Sequence, residues 1–290
     1  MARIGRNAVE VVPTGPVLDL SGLRLRRAFA DLVAHAEGTG GIERYVTALA
    51  LKASLFEELL GGHAADLTET EFLDLAAFIT PVRRKIGPWL GENGFARLHG
   101  QILRLVQDQG HVDNRMARFC AAFPQDKAHR WVRDLGAEVL HFTAPDRVPL
   151  MARWVWDARV GTGVLREIWH AEDVDAARIT VADNFAMFAT LRVELEGFLA
   201  SEGVFRDLAF YADLLMAHVY AGYINDRGGQ YLRSDFTTDG DPMMHTRRML
   251  GLDAVDTETG RTRLRLIDGT AHVLGGEPAL PAPEAADAHP

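Results

Sequence analysis

A single cysteine, Cys120, stands in this chain of 290 residues, which excludes an internal disulfide framework and any cysteine-built structural zinc site. Its context, Met116-Ala117-Arg118-Phe119-Cys120-Ala121-Ala122-Phe123, reads as the buried face of a helix, where a thiol behaves as a small inert hydrophobe. Long apolar runs are missing too. None approaches the roughly 20 residues that cross a bilayer as a helix, and Met1-Ala2-Arg3-Ile4-Gly5-Arg6 leads into no apolar signal-peptide stretch. The expectation is a cytoplasmic protein with no membrane span. Positive charge is in the minority, since 31 Lys and Arg against 40 Asp and Glu leave a net charge of -9. That balance argues against nucleic-acid phosphates or anionic lipid as partners. The chain also lacks a Gly-rich phosphate loop after a strand, a Gly-x-Ser-x-Gly elbow and any internal repeat. Ile86-Gly87-Pro88-Trp89 is too short a signal for a helix-hairpin-helix DNA element.

What is present is ordinary globular material, 48% hydrophobic and 24% charged, enough for one large or two modest cores. The hydrophobic period is helical almost throughout. Leu23, Phe29, Ala30, Leu32 and Val33 mark a helix stopped by Gly38-Thr39-Gly40-Gly41, and a second spans about Ile42 to Leu60. Thr68 and Glu71 have capping-box spacing for a short third helix, and Pro81 and Pro88 suit first turns. Further helices follow through Phe95 to Leu105 and Val112 to Cys120, and Asp126 is placed to cap one running to Phe142. After a compact turn over Thr143 to Pro149, Leu150 to Trp156 reads as helix, interrupted by Gly161 and Gly163 before a short piece ending near His170.

Two long helices, about Asp183 to Ser201 and Phe205 to Asp226, close the body, and Asp241-Pro242 open another to Leu250. The second long helix is apolar nearly all round and so belongs at the centre, with Asp207 and Asp213 expected at its exposed margin or paired with arginines. Partial alternation after Asp256 suggests a hairpin. The expected fold is therefore all-α, an irregular multi-helix globular bundle with a small C-terminal β-hairpin. Its parts are an extended lead-in over 1–20, a helical domain over 21–252, a hairpin appendage over 253–276 and a disordered Pro- and Ala-rich tail over 277–290.

Three constellations carry possible chemistry. Glu138/His141 and Glu167/His170 are Glu-x-x-His pairs, a spacing that puts a carboxylate and an imidazole on one helix face, where iron or another divalent metal could be held. The separate helices that would supply two more glutamates to such a site do not stand out. Because Asp134, Glu138 and His141 share the stripe opposite Trp131, Leu135 and Phe142, a solvated polar face is the preferred reading, and no cofactor is favoured. Tyr211, His218 and Asn225 recur every seven residues along the central helix and are the pocket candidates, since buried polar groups must satisfy one another or face a ligand. Arg147, Arg153, Trp154 and Trp156 concentrate the residue types of interface hot spots. The function expected is a soluble accessory protein that contacts a partner protein, and not nucleic acid, through the 147–157 segment. The alternative is an enzyme with a buried Tyr/His pocket, with an oxygenase-type carboxylate/His metal site as one form of it.

Overall fold

The Ser21 hydroxyl accepts a hydrogen bond from the Arg24 amide at 3.4 Å and starts α1 (Gly22–Glu37), which buries Leu25, Leu32 and Ala36. Gly40 and Gly41 end it with φ of 101° and 88°, a region that Cβ-bearing residues avoid. The chain then turns into α2 (Ile42–Leu60). The capping box forms as expected: Glu71 accepts from the Thr68 amide at 2.8 Å, and Thr68 Oγ1 accepts from the Glu71 amide at 3.3 Å. It opens α3 (Glu69–Ala77), and α4 (Thr80–Arg83), with Pro81 in its first turn, follows directly. Next come α5 (Ile86–Asn93), α6 (Phe95–Gln107) and α7 (Val112–Ala121). Asp126 does cap, but it caps a 3-10 turn over Lys127–His129, and α8 (Trp131–Thr143) begins only after it.

The computed structural model describes residues 15–228, 242–254, 261–265 and 271–273, and over them the fold is all-α apart from one two-stranded hairpin. The expected disordered tail and most of the lead-in lie outside the described residues. In the lead-in, Leu20 bridges Trp169 in antiparallel fashion, and the Ser21 amide donates to Ile168 O at 2.8 Å.

The expected helix over Leu150 to Trp156 is not formed; the segment is extended and then makes a single turn. Its backbone groups are claimed elsewhere. The Arg153 amide donates to Asp134 Oδ1 at 3.2 Å, while Trp154 O and Val155 O accept from the amides of Val164 and Leu165 at 3.0 and 3.1 Å. Gly163 permits this approach, with φ at 132° and a position where a Cβ would lie 2.6 Å from Val155 O. Helix α9 (Val164–Glu167) follows, then α10 (Phe185–Ser201), capped by Asn184. Phe205 does not begin the last long helix and is 77% exposed. Asp207, with φ at 52°, breaks the path, so that α11 (Leu208–Gly228) starts one step later. Helix α12 (Met244–Met249) and the antiparallel pair β1 (Arg261–Arg265) and β2 (Ala271–Val273) complete the described chain.

At the centre α8 packs on α2, α4, α6 and α7, while α11 packs on α1, α2, α9, α10 and α12. One apolar cluster runs from Leu18 to Leu252. Trp89, Phe123 and Trp131 form an aromatic knot within it, with centroids 5.5 to 6.1 Å apart. The tightest backbone approach is at Gly251, where φ is 75° and a Cβ would stand 1.7 Å from Phe78 O. Neither the conformation nor the space admits a side chain. Gly251→Ala is expected to lower stability by at least about 2 kcal/mol, read as a drop in the urea midpoint; an unchanged midpoint would contradict this packing.

Candidate functional site

The polar stripe of α8 is buried. Asp134, Glu138 and His141 are 3%, 2% and 1% exposed, which overturns the solvated-face reading. A lone amphipathic helix would show this stripe to water, but here Lys52 of α2, Asp213 of α11 and Arg153 meet it. Each group is matched by a partner that the sequence pattern hides. Lys52, 1% exposed, sits on the apolar stripe of α2 with Leu49, Ala53 and Phe56 and places Nζ 2.6 Å from Glu138 Oε2. The same ammonium donates to Phe78 O at 3.1 Å and Leu250 O at 2.9 Å, and lies 3.9 Å from the Phe142 ring centroid. All three of its protons are therefore used. Burial pushes the Lys52 ammonium down and the Glu138 carboxyl up, and each is pulled back by the other's charge. Three acceptor oxygens around one nitrogen match the three N–H donors of an ammonium.

His141 is fixed at both ring nitrogens, with Val148 O 2.7 Å from Nδ1 and Asp213 Oδ2 2.8 Å from Nε2. Asp213, expected at an exposed margin of the central helix, is 3% exposed and faces α8. Asp207 is exposed, as expected. Asp134 receives Arg153, whose Nη2 donates to Oδ2 at 2.6 Å. These pairings join α8 to α2, α11, the 148–153 loop and the turn after α12.

The remaining candidates are dispersed. Glu167 is half-buried at the end of α9 and His170 is exposed, with Nδ1 3.5 Å from Asp19 Oδ1. Neither joins Glu138 and His141. Because Lys52 holds the Glu138 carboxylate and both His141 nitrogens face protein oxygens, this pair is a poor fit to a metal ion. Among the described residues no group of three or more His, Cys, Asp or Glu is placed to hold one. Tyr211 and His218 lie on one face of α11, two turns apart, and both are partly buried. His218 Nδ1 is 3.0 Å from the fully buried Thr246 hydroxyl, and its ring meets that of His35 edge-on at 5.3 Å. Asn225 falls within α11, but its side chain lies outside the described residues.

The Trp/Arg segment splits in two. Trp156 is 0% exposed and donates Nε1 to Val181 O at 2.9 Å, so it anchors the core and is no partner surface. Trp154 is partly exposed and begins an aromatic row with Tyr220, 6.0 Å away, and Tyr223, 5.7 Å further on. Arg153 is close enough to Tyr220 that its charge acts on the phenol, whose pKa burial pushes up. Arg153 also lines a groove of about 430 Å³ with Lys127, Arg130, Arg133 and Arg159. Arg147 is exposed and opens on a different cavity, near the end of α8. Cys120 is only half-buried and lies in the wall of the Arg153 groove, and burial pushes its thiol up. No protein-family model, curated protein or solved structure matches this chain. The site is therefore read from its own geometry.

Removing one partner of the Lys52–Glu138 pair strands a buried charge, so Lys52→Met and Glu138→Gln are each expected to lose about 3–5 kcal/mol of stability. The double replacement Lys52→Met with Glu138→Gln should lose less than the sum of the two, because no charge is then left alone. Denaturant titration of the four proteins measures this coupling, and strict additivity would show that the two groups do not depend on each other.

His218 supplies a pH signature. Burial, with His35 adding and Asp31 opposing, lowers its pKa from 6.5 to about 4. As pH falls the unfolded chain takes up this proton before the folded one, so stability held above 6.5 is lost between 6.5 and about 4. The melting temperature of His218→Gln, which cannot take up that proton, should fall less steeply across this window. Parallel pH profiles for the two proteins would refute the assignment.

Proposed function

We propose that the protein is a binding protein that takes an acidic segment of a partner protein in the groove beside Arg153. One observation carries the reading. Among the described residues, Lys127, Arg130 and Arg159 are exposed, line this groove, and have no carboxylate within ion-pair distance, on a chain whose net charge is -9. Of the other charged groups of the groove, Arg133 bonds Asp183 at 2.5 Å, His129 meets Asp126 at 2.8 Å, and Asp157 accepts from the Arg159 and Val160 amides at 3.2 and 3.3 Å. Cations left open in one concavity of an acidic molecule are an anion-recognition feature, and guanidinium groups suit carboxylates.

Arg153 is pre-organised for this role. Its guanidinium is held by the buried Asp134 at 2.6 Å, so little rotamer freedom is lost when a partner arrives. Next to it, Trp154, Tyr220 and Tyr223 offer a partly exposed aromatic row of the kind enriched in binding surfaces. The enzyme reading built on Tyr211 and His218 draws less support, since His218 is engaged with Thr246.

Fluorescence anisotropy with a labelled Glu/Gly dodecapeptide, its Gln/Gly counterpart as control, tests the proposal. The acidic peptide should bind and weaken as salt rises, and Arg130→Glu with Arg159→Glu should cut its affinity roughly 10-fold or more with an unchanged melting temperature. Equal binding of both peptides, or an unaffected double variant, would end this reading; tighter binding of a single-stranded oligonucleotide would replace the protein partner by a nucleic acid.

A further inference from the structure

A second cavity, of about 600 Å³, opens between the end of α2, the start of α7 and the end of α8. Its charges are divided. Arg115 and Arg147 line it together with Glu57 and Glu58, which the last turn of α2 supplies. Burial, with Arg147 and Arg118 adding to it against Asp108, holds Arg115 below the usual arginine range, so the Arg147 guanidinium is near enough to repel it. Arg115 spends Nε and Nη2 on Leu105 O, at 3.0 and 2.8 Å, which fixes its guanidinium in the wall. Among the described residues neither arginine forms an ion pair with Glu57 or Glu58 across the space. The four charges thus stand apart around an interior floored by Leu140 and Val148.

Thr143, in the same wall, keeps its Oγ1 behind the surface, shut off from the cavity and without a hydrogen-bond partner, and a buried hydroxyl in that state is destabilising. We propose that this cavity binds a small zwitterion. Its carboxylate would meet Arg115 and Arg147, its ammonium Glu57 and Glu58, and its apolar middle the Leu140 and Val148 floor. The volume is that of a small-molecule site. Opposite charges on separate parts of the lining select a molecule with both signs over a simple anion, which the glutamates would repel, and over a simple amine, which the arginines would repel.

Isothermal titration calorimetry on the full chain with ε-aminocaproate, caproate and hexylamine tests this. The zwitterion should bind, with both singly charged analogues at least ~10-fold weaker, and Arg147→Gln or Glu58→Gln should each weaken ε-aminocaproate by ~10-fold. Thr143→Val should raise the melting temperature of the free protein, because the orphan hydroxyl is gone, without weakening ε-aminocaproate. The Arg130 and Arg159 replacements should leave this binding untouched, which separates the cavity from the groove beside Arg153. No binding of ε-aminocaproate, affinity no better than that of its two analogues, or indifference to Arg147→Gln would each overturn the proposal.

Discussion

The Lys52 ammonium organises the interior. One nitrogen, wholly inside the protein, joins a carboxylate on α8, the carbonyl of Phe78 after α3 and the carbonyl of Leu250 after α12. An ammonium removed from water is costly by many kcal/mol unless every proton finds an acceptor, so these three oxygens have to arrive together. That requirement sets the relative positions of four segments more narrowly than apolar packing does, because apolar contacts tolerate sliding and a three-proton clamp does not. His141 with Asp213 and Asp134 with Arg153 extend the arrangement along the same stripe of α8. Polar groups there specify position; the surrounding leucines and phenylalanines supply the bulk of the driving force.

Much of the helical architecture could be read in advance, because it is written in local signals. Thr68 with Glu71 and the glycines after α1 act within one or two turns, and such signals survive in the primary structure, although α1 buries Leu25, Leu32 and Ala36 and leaves Leu23 and Ala30 exposed. The site was less legible. Glu138 and His141 stood out by spacing, yet their burial depends on α2 and α11, which are distant in sequence. A lysine at position 52 amid Leu49, Ala53 and Phe56 was the readable clue, as was an aspartate at 213 between Ala212 and Leu214: a charge on an apolar stripe implies an opposite charge beneath it. Trp154 and Trp156 did divide into a partly exposed and a buried ring. The cause was a turn in place of the expected helix, because Asp134 and the chain returning through Gly163 take the backbone groups that a helix would have used.

Charge is sorted by depth as well as by face. Inside, every described lysine, glutamate or aspartate that is nearly inaccessible to water is matched by an opposite charge or by a histidine. At the surface, an overall acidic chain gathers several cations without a carboxylate partner in the groove beside Arg153. An acidic exterior discourages indiscriminate association with nucleic acid and anionic membranes while leaving a local positive potential at one place. The groove and the rigid interior meet at Arg153, which belongs to both.

The clamp also has a history during synthesis. Lys52 and its acceptor at Leu250 are 198 positions apart, so a chain growing from its N-terminus exposes the lysine long before the last oxygen exists. Until then α2 and α8 can meet only with one ammonium proton left to another acceptor. The clamp is therefore complete only once the C-terminal region has joined it, and closing a contact so remote in sequence carries the entropic cost of a long loop.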